Sequence, residues 1–442
     1  MQVKVIMKRC FVLLLFLFFV PCSFGQTPSV SPTPAQSAPP EMPRTRNFGS
    51  SLKRYGKKDR KKTQTTNNER DDDVVRVSTD LVVNDVLVTN QKGNVILGLQ
   101  KEDFVVTEDS AAQTIQMFAS GESGTVPRSV VLIIGCGGNQ GPYMKRSVEA
   151  AKVLLDKLPP QDKMAIVTID LKLRLDFTQD KTLLKKTLDS LVPRDEGKIE
   201  FSTCADPLQA PDALRLNTKY RRHSGESDTL LAVLNEMFDE QNRQRIIIFQ
   251  GDGVPLIWLK PDKETPYQIS YSTLERSGLR WTRENPFSEF GFREIKEAIE
   301  SSRATIYSVV NGIRFLGLSK KEQLARAKLS LIDLNKFYKW NKESDMPTIV
   351  GYYQYAEAET RTAGQTAMFK VAELSGGFTS FIEKPEDAEN VYSDIFTVIK
   401  NRYVLGYSPT NRNRDGKLRQ LTIQVRNHPE FTVTGRTAYS LQ

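Results

Sequence analysis

The sequence is poor in the residues from which many active sites are built. Its 442 residues include 2 histidines and 4 cysteines, so a metal centre with several imidazole ligands is excluded. A Ser/His/Asp or Cys/His catalytic set would have to use His223 or His428, and neither lies near a Gly-x-Ser-x-Gly motif. We therefore expect a protein without enzyme activity.

Long apolar runs are scarce as well, and one of them, at the N-terminus, is long enough to consider for membrane insertion. Lys4, Lys8 and Arg9 precede an apolar run over residues 11–20, and Ser23-Phe24-Gly25 follows it. This order is typical of a signal peptide. We predict cleavage after Gly25, an exported protein in the periplasm or outside the cell, and no membrane span in the mature chain. An uncleaved anchor and a lipoprotein attached at Cys22 are the alternatives.

The net charge of +9 belongs mostly to the N-terminal region. Residues 1–26 carry +3 and residues 41–76 carry +5, which leaves +1 for residues 77–442. Residues 26–73 are rich in Pro, Ser and basic side chains and have few apolar ones, which predicts a disordered linker. Its basic cluster 53–62 is either a contact for a polyanion or the cell envelope, or a solvated spacer. The near-neutral remainder indicates no nucleic-acid partner.

The rest of the chain reads as α/β with an added β domain. Short alternating runs over residues 74–120 favour a small β-sandwich-like domain, which we expect strands of 402–439 to complete. Residues 128–401 alternate between fully apolar strands and helical patterns, one of them at 364–375. This alternation predicts a three-layer, Rossmann-like domain with a central, mostly parallel sheet. Insertions interrupt it at 194–226 and 254–291.

Four phrases in the mature chain carry a resemblance. They are GLQKEDF at 98–104, IIFQGDG at 247–253, RYVLGYSPTN at 402–411 and RDGK at 414–417. Through them, the chain from about residue 74 to 439 resembles the von Willebrand factor type A-related proteins that are abundant in Acidobacteria. The resemblance implies a three-layer type A domain and an exported location, and it implies no enzyme activity.

The resemblance also implies where a divalent cation would bind. Many type A domains hold one at the carboxyl ends of the strands, through an Asp-x-Ser-x-Ser motif, a Thr and a further Asp. On this chain the motif falls where Gly135 and Gly137 offer no side-chain oxygen, although Asn139 keeps an amide oxygen. Asp252 matches outright, and Asp228 lies near the Thr position. Asp252, Asn139 and Asp228 are thus the remaining candidates for holding Mg²⁺ or Ca²⁺. The alternative for Asp252 is to cap a turn or the following helix, and we expect no cofactor.

Cysteines and aromatic residues cluster around the same predicted face. Cys136 and Cys204 could form a disulfide in an exported protein, or remain separate thiols. The 254–291 insertion carries Trp258, Tyr267, Tyr271 and Trp281, residue types that often anchor protein interfaces. They could equally pack on their own scaffold.

Taken together, these patterns predict an exported, non-enzymatic binding or scaffold protein. It would act on a protein partner through a type A-like domain with a degenerate metal site, and so without a metal ion. One alternative is metal-dependent adhesion through a residual cation site around Asp252. Another is polyanion or envelope binding through the basic tail 53–62. The sequence defines neither the partner nor the oligomeric state.

Overall fold

The strand patterns of the sequence form three sheets. The computed structural model describes residues 46–52, 81–120, 126–192, 225–240, 243–276 and 288–440. These all belong to one unit, Pro43–Gln442. The strands in these ranges are β1 (Val82–Thr89), β2 (Phe104–Glu108), β3 (Ala111–Gln113), β4 (Ile115–Ser120), β5 (Arg128–Ile134), β6 (Lys163–Thr168), β7 (Lys172–Thr178), β8 (Gln244–Gly251), β9 (Thr305–Asn311), β10 (Thr379–Ile382), β11 (Tyr403–Tyr407), β12 (Leu418–Val425), β13 (Thr432–Thr434) and β14 (Ala438–Ser440).

The central sheet has six strands in the order β10-β9-β8-β5-β6-β7. Its pairs are parallel except for β6–β7. Every residue of β5 is buried, as expected for a strand covered on both faces. The chain runs from β5 to β6 and β7 on one side, then crosses to β8, β9 and β10 on the other. The carboxyl ends of β5 and β8 therefore flank the switch point, where sheets of this kind leave a crevice.

Helices pack around this sheet and complete the α/β fold class, which is confirmed. In α1, apolar side chains recur at helical spacing and Met144, Val148, Ala151 and Leu155 are buried. None of the helices in the described ranges combines the length and the apolar character that crossing a membrane requires. The helices are α1 (Gly141–Lys157), α2 (Lys181–Asp189), α3 (Gly225–Glu236), α4 (Tyr271–Arg276), α5 (Phe292–Ser302), α6 (Lys320–Tyr338), α7 (Met346–Leu374) and α8 (Ala388–Lys400).

Two further four-stranded sheets, β13-β1-β11-β4 and β14-β12-β2-β3, form the predicted β-sandwich. Strand β11 pairs antiparallel with both β1 and β4, and β12 pairs with β2. Val86, Phe104, Tyr403 and Leu421 lie in its core, which is separate from that of the α/β part. The sandwich is therefore built from strands at both ends of the chain. The domain boundaries proposed above stay predictions.

Two tyrosines of the segment RYVLGYSPTN, Tyr403 and Tyr407, lie in the interior of this sandwich. The hydroxyl of Tyr403 donates to the carbonyl of Ile96 at 3.0 Å and accepts from the backbone N–H of Leu99 at 3.1 Å. The hydroxyl of Tyr407 donates to Glu108 at 2.9 Å, and that carboxylate is 2% exposed. Buried polar groups need such partners to avoid a large desolvation cost. These residues thus specify packing rather than a binding surface.

Residues 46–52, which fall within the predicted linker, pack on the α/β part. Arg46 donates to Asp176 at 2.8 Å, and the backbone N–H of Ser51 donates to the carboxylate of Glu236 at 2.7 Å. Leu52 is 5% exposed and belongs to the α/β core. Apolar burial together with these polar contacts offsets the local entropy of ordering. The other predicted N-terminal features lie outside the described residues: the leader 1–25, the rest of the linker and the basic cluster 53–62.

Two long helices, α6 and α7, connect β9 to β10 along the chain. The sequence pattern indicated only the last part of α7, at 364–375. Apolar side chains occur on more than one face of each helix; in α6, for example, Ala327 is buried and Leu329 is 54% exposed. A single apolar stripe, which is the signal that sequence reading depends on, is therefore weak here.

Candidate binding site at the strand ends

The loops that follow β5 and β8 meet at the carboxyl edge of the sheet. The backbone N–H of Gly135 donates to the carbonyl of Gln250 at 2.7 Å, which continues the pairing of the two strands beyond their ends. The amide Nδ2 of Asn139 donates to Oδ2 of Asp252 at 3.0 Å. Two of the three residues that the sequence suggested for a cation are thus in contact.

A guanidinium group from α7 completes this cluster. Nη1 of Arg361 donates to Oδ2 of Asp252 at 3.0 Å, and its Nε donates to Oε1 of Glu357 at 2.8 Å. The side chains of Arg361 and Asp252 are 6% and 5% exposed. Burial alone lowers the pKa of Arg361, but the charges of Glu357 and Asp252 outweigh it and raise that pKa above its usual value. Arg361 is therefore permanently ionised, and its guanidinium provides the positive charge beside Asp252.

Two glycines let α7 approach the loop that holds Asp252. Gly253 has a φ of 73°, in the left-handed region that favours glycine. A Cβ added at Gly364 would lie 2.7 Å from the carbonyl carbon of Gly253 and 2.9 Å from the nitrogen of Val254. Because both contacts are with backbone, they leave no room for a side chain. The close packing brings Arg361 to within hydrogen-bonding distance of Asp252.

Gly135 and Gly137, which depart from the type A motif, differ in the space around them. A Cβ at Gly135 would lie 2.9 Å from the carbonyl oxygen of Gln250 and from Cα of Gly251. A carboxylate could not be placed there without moving β8. A Cβ at Gly137 meets no atom within 4 Å. One ligand position of the motif is thus sterically closed, and the other merely lacks its side chain.

The remaining side chains do not fit a divalent cation. Oδ1 of Asp252 accepts from the backbone N–H of Val254 at 3.1 Å, so both of its oxygens are engaged. Thr229, next to the candidate Asp228, donates to the carbonyl of Ile169 at 3.0 Å and accepts from the N–H of Leu171 at 3.2 Å. Mg²⁺ requires about six oxygen ligands in near-octahedral geometry. Across the described ranges, no group of three or more His, Cys, Asp or Glu side chains is arranged to hold a metal ion.

Asp228 contacts the 254–291 insertion. It is 6% exposed, and its Oδ1 lies 3.5 Å from Oγ of Ser288. The third cation candidate therefore lies against the insertion.

A cleft of about 210 Å³ opens beside Arg361. Burial raises the pKa of the Tyr143 hydroxyl to about 12, and this hydroxyl donates to the carbonyl of Glu383 at 3.1 Å. Asn311 is 2% exposed and donates to Gln140 at 2.7 Å, while its Oδ1 has no partner among the described residues. The lining contains neither histidine nor cysteine. The cleft can exchange hydrogen bonds with a ligand.

The aromatic candidates in the insertion have different environments. Trp258 is 3% exposed and packs with Ile257, Leu274 and Ala363, so it stabilises the insertion and offers little surface to a partner. Tyr267 is partly buried, and its hydroxyl donates to the carbonyl of Leu256 at 2.8 Å. Tyr271 is 68% exposed. Among the described candidates, Tyr271 is thus the one with an accessible ring, and Trp281 lies outside the described residues.

Cys136 is 1% exposed and disulfide-bonded. Its partner lies outside the described residues, as does Cys204 together with most of the 194–226 insertion. The pairing of Cys136 with Cys204 therefore stays a prediction.

Sequence reading missed Arg361 and Glu357. Their spacing of four residues is that of an ion pair on a helix, and Gly364 follows one turn later. The Glu357/Arg361 spacing followed by Gly364 is the sequence signal that could have indicated these two residues. It does not reveal Asp252 as the second partner, because only the packing of α7 on the loop after β8 brings them together.

No family model matches the sequence, and no curated protein matches it. Some solved structures are similar to the chain at low identity. The chain is similar to BatB of Bacteroides thetaiotaomicron, with 12% identity and a TM-score of 0.30 over 62% of this chain and 99% of that one. It is also similar to the von Willebrand factor domain of the type V pili tip protein Mfa5 of Porphyromonas gingivalis, with 12% identity and a TM-score of 0.30 over 62% and 95% of the two chains. A third likeness is to an aerotolerance-related membrane protein of Bacteroides fragilis, with 11% identity and a TM-score of 0.29 over 62% and 98%. At these scores the likenesses say nothing about function, and the strand order above defines the fold.

Proposed function

We propose that the chain is an exported, non-enzymatic binding protein that acts through its type A-like domain without a divalent cation. The observation that carries this proposal is the buried ion pair between Arg361 and Asp252, 3.0 Å apart. The guanidinium already neutralises the carboxylate that matches the family's metal ligand. It is in turn held by Glu357, so the positive charge is supplied by the protein itself.

Cation binding at this position would compete with that ion pair. A metal ion would have to displace Arg361 from Asp252 and leave the guanidinium buried with one fewer partner. Breaking a buried pair in this way typically costs about 3–5 kcal/mol. The loss of a ligand position at Gly135, where a Cβ would lie 2.9 Å from backbone atoms, adds to this barrier.

The binding role is supported by the surfaces around the same edge. The cleft beside Arg361 and the exposed ring of Tyr271 offer polar and aromatic contacts to a protein partner. Metal-dependent adhesion around Asp252 would require a cation to compete with Arg361. Polyanion binding by the tail 53–62 would show a steep dependence on salt that is lost when the tail is deleted.

The ion pair can be tested apart from any partner. Calorimetric titration of the full chain with Mg²⁺ and Mn²⁺ should give no saturable heat, and a chelator should leave the melting temperature unchanged. Arg361→Met should lower the free energy of unfolding by about 3–5 kcal/mol, because it leaves Asp252 buried and unpaired. Adding Asp252→Asn should recover part of that loss. Saturable Mg²⁺ binding that stabilises the unaltered chain would refute the metal-independent proposal.

The binding role needs its own experiment. Crosslinked capture from the native envelope should retain the same partner with and without a chelator. Tyr271→Ala should weaken capture, whereas Tyr353→Ala, a change at another exposed tyrosine (41% exposed), serves as the control. Loss of the partner on chelation, with recovery on adding Mg²⁺, would support metal-dependent adhesion instead.

A further inference from the structure

The cleft beside Arg361 is lined by more carboxylates than cations. Asp333, Glu383 and Glu386 line it on the acidic side, and Arg361 and Lys384 are the basic residues of the lining. They belong to α6, to α7 and to the segment that joins β10 to α8. The excess of negative charge therefore arises where three separate segments of the chain meet.

Most of the positive charge in this cleft is already paired. Nη1 of Arg361 donates to Asp252 and its Nε donates to Glu357, so two carboxylates surround one guanidinium. Arg326 of α6 donates to Glu383 at 2.6 Å. When these partners are counted with the lining, five carboxylates stand against three cations, which is a net charge of −2.

Two of the lining carboxylates have no partner. Asp333 and Glu386 are exposed, and neither forms a hydrogen bond or an ion pair with another part of the described chain. Lys384 is exposed and has no ion pair there either, so it offsets one of these two charges. The unpaired charge of the cleft is thus negative as well.

The hydroxyl of Tyr143, which lines the cleft, is sensitive to this charge. Burial is the main cause of its raised pKa of about 12, and the charge of Arg361 opposes it. The charges of Asp333, Glu383 and Asp387 raise this pKa further. Three carboxylates therefore act on a group in the cleft wall, against one guanidinium.

A buried acceptor lines the cleft beside these charges. Asn311 is 2% exposed, and its Nδ2 donates to Gln140 at 2.7 Å. Its Oδ1 has no partner among the described residues. A buried acceptor without a hydrogen bond is costly, so a donor that entered the cleft would be stabilised by bonding to it. The cleft thus suits a ligand that is both positively charged and rich in N–H groups.

The arrangement and the size of the cleft favour an organic cation. In the described part of the chain, no three acidic, His or Cys side chains are placed to hold a metal ion together. The volume of about 210 Å³ is below the roughly 300–1,000 Å³ of typical small-molecule sites. Ammonium and guanidinium groups carry several N–H donors at the end of a slender stem. A single basic side chain therefore matches the cleft in charge, donors and size.

We propose that this cleft receives a lysine or arginine side chain of the protein partner. The inference rests on the proposed binding function and names the group that the partner inserts. Asp333 and Glu386 attract the positive charge of that side chain, and Oδ1 of Asn311 accepts one of its N–H groups. The Arg361–Asp252 pair remains intact, so no divalent cation is needed.

Saturation-transfer NMR of the full chain with three small probes tests the charge preference. The probes are Nα-acetyl-arginine amide, the neutral Nα-acetyl-citrulline amide and the acidic Nα-acetyl-glutamate amide. We expect the arginine probe to bind more tightly than the other two, with an affinity that falls as salt is added.

Substitutions of the two unpaired carboxylates locate the binding. Asp333→Asn with Glu386→Gln should weaken binding of the arginine probe about fourfold, at roughly a factor of two for each exposed charge contact. The matched control is Asp345→Asn with Glu389→Gln, which removes two exposed carboxylates that do not line the cleft. The control should bind the arginine probe as the unaltered chain does.

The buried acceptor is tested separately. Asn311→Ala should also weaken binding of the arginine probe, whereas Asn413→Ala, at an exposed position of the sandwich region, should not. The thermal unfolding of each variant is compared with that of the unaltered chain, so that misfolding is recognised. If Asn311→Ala is unstable, the variants at Asp333 and Glu386 still decide the question, because both side chains are exposed.

Several results would overturn the inference. These are no binding of the arginine probe, equal binding of the arginine and citrulline probes, and tighter binding of the glutamate probe. Unchanged arginine binding in Asp333→Asn with Glu386→Gln would place the cation elsewhere on the protein.

Partner capture separates this inference from the proposed function. The arginine probe should compete with the captured partner, and Asp333→Asn with Glu386→Gln should capture less of it. A partner that is retained in both experiments would refute the inference and leave the proposed binding function intact. Arginine binding as expected, without any captured partner, would support the cation preference of the cleft and contradict the proposed function.

Discussion

At the residue scale, the negative charge of Asp252 is balanced by the guanidinium of Arg361, which lies 109 positions later in the chain. The two glycines before Asp252 in the type A motif decide what else can reach it. Gly135 is enclosed by the backbone of β8, and Gly137 faces open space. Packing therefore blocks a side chain at Gly135, whereas Gly137 has room for one.

The two glycines give a matched pair of substitutions. Gly135→Ala should lower the free energy of unfolding by about 1–3 kcal/mol, because its Cβ would lie 2.9 Å from Gln250 and Gly251. Gly137→Ala should change it by less than about 1 kcal/mol, since no atom lies within 4 Å of its Cβ. Denaturant unfolding of both variants measures the difference. Equal effects would mean that the backbone of β8 can move aside easily.

At the scale of elements, α7 joins several parts of the site. It provides Arg361 and Glu357 for the ion pair and Gln365, which accepts from the backbone N–H of Phe315 at 2.8 Å. Its Glu359 accepts from the backbone N–H of Ser270 at 2.9 Å, just before α4. A shift of this one helix would therefore disturb the strand-end cluster and the insertion together.

Two glycines of α7 test how closely the helix must pack. Gly364→Ala should destabilise the fold by about 1–3 kcal/mol and weaken the Arg361–Asp252 contact, because its Cβ would lie 2.7 Å from Gly253. Gly351→Ala, in the same helix with nothing within 4 Å, should stabilise it by up to about 1 kcal/mol through helix propensity. Chemical unfolding provides both values. A stabilising Gly364→Ala would contradict the close helix–loop contact.

At the scale of the whole molecule, the sandwich depends on both ends of the chain. Strand β11 lies between β1 and β4, and six of the twelve buried residues of the sandwich core follow residue 401. Those six are Tyr403, Leu405, Tyr407, Leu421, Val425 and Tyr439. The core cluster of the α/β part ends at Ile399. The two parts therefore have separate cores although the chain passes from one to the other and back.

A chain truncated after Asn401 tests this division. Residues 81–120 should become sensitive to limited proteolysis, since β1 and β4 lose the strand between them. Residues 126–192 should stay protected, because their core keeps all of its members. Mass spectrometry of the fragments locates the cuts. Continued protection of residues 81–120 would show that the N-terminal strands fold without β11.

Hydrophobic patterns along the chain predicted the layers of this protein. Buried strands such as β5 are apolar throughout, and alternation marks the sandwich strands, because periodicity follows directly from the geometry of each element. Sequence patterns also drew attention to Asp252, Gly135 and Gly137, which lie in the loops after β8 and β5. Only the tertiary structure placed Arg361 beside Asp252, buried Trp258 and docked residues 46–52. Those outcomes depend on contacts between segments far apart in the chain, which local patterns do not encode.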